Sequence, residues 1–177
     1  MKKSSILILI IICLVGCKKG SNETTITGEI KGLGTDTLYL YGMDELYDRI
    51  DTIYVENDKF SYTTSVDTIT SAYLLLKNRI EYPVFLDKGN KIKIKGDTIN
   101  LNFLTISGNI YNEEFTDFQK ALEDPADPSE KAGEETVDKR ITVEKANTAE
   151  EMAEEFILQH HSSYVSLYLL DKYFVQK

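Results

Sequence analysis

Tryptophan is absent from this chain, and histidine and cysteine occur only twice each in 177 residues. Both cysteines, Cys13 and Cys17, lie in the stretch IICLVGCKKG at residues 11 to 20. Downstream of Cys17 there is no thiol. That excludes a disulfide, a thiolate metal site and a C-x-x-C redox centre from the rest of the chain. Positive charge is also short, with 20 basic residues against 29 acidic ones and a formal charge of −9. Such a chain repels nucleic-acid phosphates, so no nucleic-acid partner is expected. The phosphate-loop pattern G-x-x-x-x-G-K-[ST], the nucleophile elbow G-x-S-x-G and the zinc motif H-E-x-x-H are all missing. His160 and His161 are neighbours. On a helix they point about 100° apart and cannot share a metal as an i, i+4 pair does. No catalytic residue, metal site or cofactor is expected.

The first residues form a leader. Lys2 and Lys3 precede an unbroken apolar run from Ile6 to Val15. That run is shorter than the roughly 20 residues that span a bilayer, and it fits the about 7–15-residue apolar region of a secretory signal. Leu14-Val15-Gly16-Cys17 resembles the lipobox of bacterial prolipoproteins. The resemblance implies cleavage after residue 16 and acylation of Cys17, with Leu14, Val15 and Gly16 as the recognition residues. Two or more acyl chains hold a protein stably on a membrane. Lys18 stands where an acidic residue would imply retention at the inner membrane. The expected location is therefore the cell envelope, lipid-anchored, at the outer membrane and facing the periplasm. Residues 17–23 would be the tether.

The remaining chain divides into two halves. Residues 24–108 hold short runs rich in Thr, Ile, Tyr, Val and Leu: TTITGEI, DTLYLYG, RIDTIYVEN, KFSYTTS, SAYLLLK, IEYPVFLD, NKIKIKG and FLTISG. Turn residues separate them, which predicts an antiparallel β-sandwich. NKIKIKGD alternates and reads as a half-exposed strand, a candidate edge guarded by lysine. AYLLL does not alternate and reads as buried on both sides. Asp-Thr followed by Leu or Ile recurs at Asp36, Asp51, Asp67 and Asp97. Its simplest reading is an aspartate closing a turn before a strand.

From residue 109 to 177 the spacing is helical, so the fold class is mainly β, α+β overall, with two or three helices. Asn112 is a candidate cap, followed by Phe115, Phe118 and Leu122 on one face. EDPADPSEKAGEE, at 123–135, reads as an acidic linker. Thr148-Ala149-Glu150-Glu151 is a capping box. The glutamates at 150, 151, 154 and 155 read as a solvated face. YVSLYLLDKYF, from Tyr164 to Phe174, is mostly apolar and must be covered, by a partner or a second copy where the chain itself does not cover it.

Eleven tyrosines are the remaining bias. Tyr39 and Tyr41 are the candidate aromatic binding surface, for a glycan or small ligand. Core and cross-strand packing is the commoner use of strand tyrosines.

The stretches EYPVFLDKGNKIKIKGD, ISGNIYNEEFTDFQKAL and SSYVSLYLLDKYFVQ resemble one family. They are similar to the N-terminal domain of unknown function, family 4369, carried by TlpA-like thiol–disulfide lipoproteins of Bacteroidetes. In that family the domain usually precedes a thioredoxin domain that holds the C-x-x-C pair. None of those catalytic residues has a counterpart here. The resemblance implies fold and location and argues against activity for this chain, so the expected role is a non-catalytic binding or scaffolding module. The alternative is that it is the front portion of a longer thioredoxin-like reductase.

Overall fold

A computed structural model describes residues 22–43, 45–76, 79–123 and 148–175. The leader, Cys17 and nearly all of the acidic linker lie outside the described residues. Eight strands come first: β1 (Glu23–Lys31), β2 (Asp36–Gly42), β3 (Ile50–Val55), β4 (Lys59–Ser65), β5 (Thr70–Leu76), β6 (Ile80–Leu86), β7 (Lys91–Asp97) and β8 (Thr105–Ser107). Three helices come after them: α1 (Ile110–Glu123), α2 (Ala149–Gln159) and α3 (Tyr164–Leu170), the last continued by a π turn over Asp171–Val175. The strands form two four-stranded sheets, ordered β4-β1-β7-β8 and β3-β2-β5-β6. All the pairings are antiparallel except that of β1 with β7, which is parallel with Thr25 opposite Lys91.

Alternation decides which side chains fill the space between the sheets. On β1, Ile26 and Ile30 point inward, and on β2 so do Leu38 and Leu40, all fully buried. Ile53, Leu74, Ile92 and Ile94 join them. Each such side chain contributes roughly 1.5–3 kcal/mol by leaving water. Gly28 faces inward opposite Phe60, and the Phe60 ring lies where a Cβ on Gly28 would sit.

The two sheets are joined at one corner. β3 and β4 belong to different sheets, yet only a two-residue turn separates the Glu56–Lys59 bridge. Asn57 and Asp58 both have positive φ, 51° and 69°, as a type I′ hairpin turn requires.

The opposite side, between β6 and β8, is open as far as strands go, and α1 fills it. The Asn112 amide accepts from Phe85 N–H at 3.0 Å and donates to Phe85 C=O at 2.8 Å. One turn later the Thr116 hydroxyl accepts from Ile106 N–H at 2.9 Å and donates to Ile106 C=O at 3.0 Å. The helix thus supplies two side chains, i and i+4, that do the hydrogen bonding of a missing strand for both sheets. Tyr82 adds a third such contact, its hydroxyl accepting from Leu104 N–H at 3.0 Å. These groups are buried, where an unpaired amide or carbonyl would be costly.

The structure changes several expectations. β7 is an inner strand, between β1 and β8, so its lysines guard no edge. β5 alternates after all: Ala72 and Leu74 are buried, while Tyr73 and Leu75 are only half-covered. Asn109, not Asn112, caps α1, its side chain accepting from Asn112 N–H at 2.9 Å. Asn112 sits one turn inside, where its amide reaches the strand. The capping box at Thr148 forms as expected, with Glu151 N–H donating to the Thr148 hydroxyl and Thr148 N–H to the Glu151 carboxylate.

Candidate functional site

Three places collect chemistry-bearing side chains. The first closes one end of the sandwich. Asp51 turns inward from β3 and accepts from the Tyr47 hydroxyl and from Arg49 Nε at 3.1 Å. Arg49 also reaches the Thr64 hydroxyl and donates to Ser65 C=O at 3.0 Å, and its guanidinium lies 4.6 Å over the Tyr47 ring. Burial, followed by the bond to Asp51, pushes the Tyr47 phenol up to about 12. Every group here is engaged by another across the β3–β4 junction, so the cluster acts as a polar lid on the core. No pattern in the sequence linked Tyr47, Arg49 and Thr64, because the fold brings them together across two sheets. Of the other repeated aspartates, Asp36 accepts from Thr37 N–H and Asp97 from Ile99 N–H, as turn-closing residues do. Asp67 instead accepts from the Asn22 side chain. They share no rim.

The second place is the hollow between α1 and the end of α2. His160 closes α2, with its ring stacked on Phe156 at 4.2 Å and its backbone N–H donating to Phe156 C=O. Glu114 across the hollow accepts from the Ser163 hydroxyl. Among the described residues, no three His, Cys, Asp or Glu side chains are grouped as metal ligands.

The third place is the outer face of the β3-β2-β5-β6 sheet. Because Leu38 and Leu40 point in, Tyr39 and Tyr41 point out. The register lays Ile50, Tyr41, Tyr73 and Pro83 in one cross-strand row. Thr52, Tyr39, Leu75 and Glu81 form the next. The Tyr41 and Tyr73 rings sit 5.7 Å apart. Partial burial, then the hydrogen bond and charge of Glu81, raise the Tyr41 phenol well above its usual range. Ile50 and Tyr54 are each 73% exposed.

Among the described residues the helices cover the β6 side of this face. Phe85 points outward from β6 and is buried under Phe115 and Tyr168, at 6.2 and 6.3 Å between rings. Tyr168 in turn packs edge-on to Phe115 at 5.4 Å. The last helix is therefore partly covered by its own chain, with Val165, Tyr168 and Leu169 buried. Leu167 and Leu170 stay exposed on its other side. Asp171 lies close enough to Tyr73 for its charge to act on that phenol, so the end of α3 borders the open tyrosine strip. Tyr39 and Tyr41 are thus surface residues with cross-strand contacts rather than core. Among the described residues the core tyrosines are Tyr47, Tyr82 and Tyr168.

A model of one protein family, described as a domain of unknown function (DUF4369), matches residues 24–115, just over half of the chain. The chain belongs to this family. The matched segment runs from the start of β1 to Phe115, so it includes the turn of α1 that carries Asn112. No curated protein and no solved structure matches the chain. Among the described residues no helix is long and apolar enough to cross a membrane.

Proposed function

We propose that this DUF4369 chain is a non-catalytic binding or scaffolding module of the cell envelope, tethered to its membrane through a lipid on Cys17. The observation that carries this reading is the open tyrosine face of the β3-β2-β5-β6 sheet. Its rings point outward from the sheet, with Tyr39 exposed and Tyr41 half-buried, and the end of α3 borders the strip at Tyr73. Aromatic side chains held this way give large contact area at little entropic cost, as at binding surfaces. The partner would be a protein or a second copy, resting on this strip and on Leu167 and Leu170. A glycan stacked on Tyr39 and Tyr41 ranks behind it.

The test is site-specific photocrosslinking in membranes of the host. A crosslinker at Tyr39 or Leu170 should give discrete protein adducts, and one at Lys120, on the exposed side of α1, should not. Tyr39→Ser with Tyr41→Ser should abolish the adducts from Leu170 while the chain stays folded, with its unfolding midpoint lowered by the lost Tyr41–Tyr73 and Glu81 contacts. Equal adducts from all three positions would remove the proposed surface, and calorimetry against a panel of envelope glycans tests the glycan reading.

A second reading has Leu167 and Leu170 resting against a thioredoxin-like domain, as expected if the chain is the front of a TlpA-like reductase. The intact mass of the protein extracted from host membranes separates the two.

A further inference from the structure

The outer face of the other sheet has a different character. On β7, Lys91, Lys93 and Lys95 all point outward, and Lys59 and Lys31 do so from β4 and β1. Threonines and serines fill most of the face between them: Thr25 and Thr27 on β1, Ser61 and Thr63 on β4. Three acids share the face: Glu29 stands between Lys59 and Lys95 in its cross-strand row, Asp97 lies opposite Lys31, and Glu23 begins β1. Lys91 and Lys93 have only Thr25, Thr27 and Ser107 beside them. Among the described residues neither has a carboxylate at ion-pair distance. A chain with 29 acidic and 20 basic residues has thus gathered lysines on one flat face. β7 is an inner strand, so protection of an edge does not account for them. Like charges two residues apart on one face repel each other weakly in water, and an anionic surface opposite would relieve that repulsion. A shallow hollow of about 300 Å³ opens on this face, with Thr27, Glu29, Lys59, Lys93 and Lys95 in its lining.

We infer that the outer face of the β4-β1-β7-β8 sheet lies against the anionic phospholipid surface of the membrane that holds the anchor. This rests on the lipid-anchor reading, since β1 starts at Glu23, a few residues after Cys17. The intervening chain reaches at most about 20 Å, which keeps the sheet within range of the headgroups. Each lysine near such a surface is favoured about fivefold, and the effect fades within a Debye length. The lysine face down leaves the tyrosine face, on the other side of the sandwich, turned to the periplasm.

The test uses the protein extracted with its own lipid and reconstituted into vesicles of neutral phosphatidylcholine, with or without added phosphatidylglycerol. Flotation with neutral vesicles reads the anchor. Amine labelling, followed by mass spectrometry, reads the face. Labelling of Lys59, Lys91, Lys93 and Lys95 should fall several-fold on anionic vesicles, recover at high salt, and stay constant at Lys120. The triple variant Lys91→Glu, Lys93→Glu, Lys95→Glu should lose the protection at Lys59. Anchored protein labelled equally on both vesicles overturns the inference while leaving the anchor intact. Protein that fails to float with neutral vesicles overturns both.

Discussion

Thr116→Val keeps the side-chain volume and branching and removes one hydroxyl. In the wild-type chain that hydroxyl satisfies both Ile106 N–H and Ile106 C=O, on a strand residue 1% exposed. Valine and threonine have nearly equal helix propensity, so α1 itself loses little. The cost is therefore that of leaving two buried backbone groups without a partner, about 1–3 kcal/mol each. The edge of β8 can relax toward water, so the expected total is about 2–4 kcal/mol. Urea unfolding followed by circular dichroism reads this directly. With a slope of about 1–3 kcal/mol per molar urea, the midpoint falls by about 1–2 M. Thr116→Ser, which keeps the hydroxyl and loses a methyl, should cost about 1 kcal/mol. A valine variant with the wild-type midpoint would show that α1 does not seal the sandwich through this contact.

Asn112→Asp retains an acceptor for Phe85 N–H but places a carboxylate beside Phe85 C=O in a buried site. Burial raises the new carboxyl above its unfolded value of about 3.9, so the variant is most stable at low pH and loses stability as pH rises. The urea midpoint should be lower at about pH 8 than at about pH 5, and a flat pH profile refutes the buried pairing. Tyr47 gives the alkaline counterpart. Its phenol rises from 10.0 to about 12 on folding, so its contribution is fully present below pH 10.0 and is lost as pH climbs to about 12. That amounts to about 3 kcal/mol. Unfolding followed by circular dichroism should set in over this window, and Tyr47→Phe should reduce the stability loss there.

The strands are legible because each is a short run rich in Thr, Ile, Leu, Val or Tyr between two turn signals. DTLYLYG and KFSYTTS match β2 and β4 residue for residue. The pairing was not legible. Nothing in NKIKIKGD shows that β7 lies parallel to β1, since a strand carries no local mark of a partner some 60 residues away. Its lysines therefore looked like edge guards. Asn112 looked like a cap for the same reason. Asparagine before a helical run is a local signal, whereas its bond to Phe85 is a tertiary one. Tyr39 and Tyr41 were identified as a pair, but the direction they face depends on which neighbours fill the core. The Tyr47–Arg49–Asp51–Thr64 lid has no sequence signature, being assembled from two sheets.

The parallel join of β1 to β7 also sets an order of events. β2 with β3 and β5 with β6 pair as chain neighbours, whereas β1 waits for β4 and cannot gain its second partner until Lys91–Asp97 has been delivered. Contacts between distant segments form slowly. For a chain exported as the proposed lipoprotein, the first strand to cross the inner membrane is among the last to be completed. During export it presents an open strand edge to whatever lies nearby, so the nascent protein is most exposed to mispairing at the end closest to its lipid.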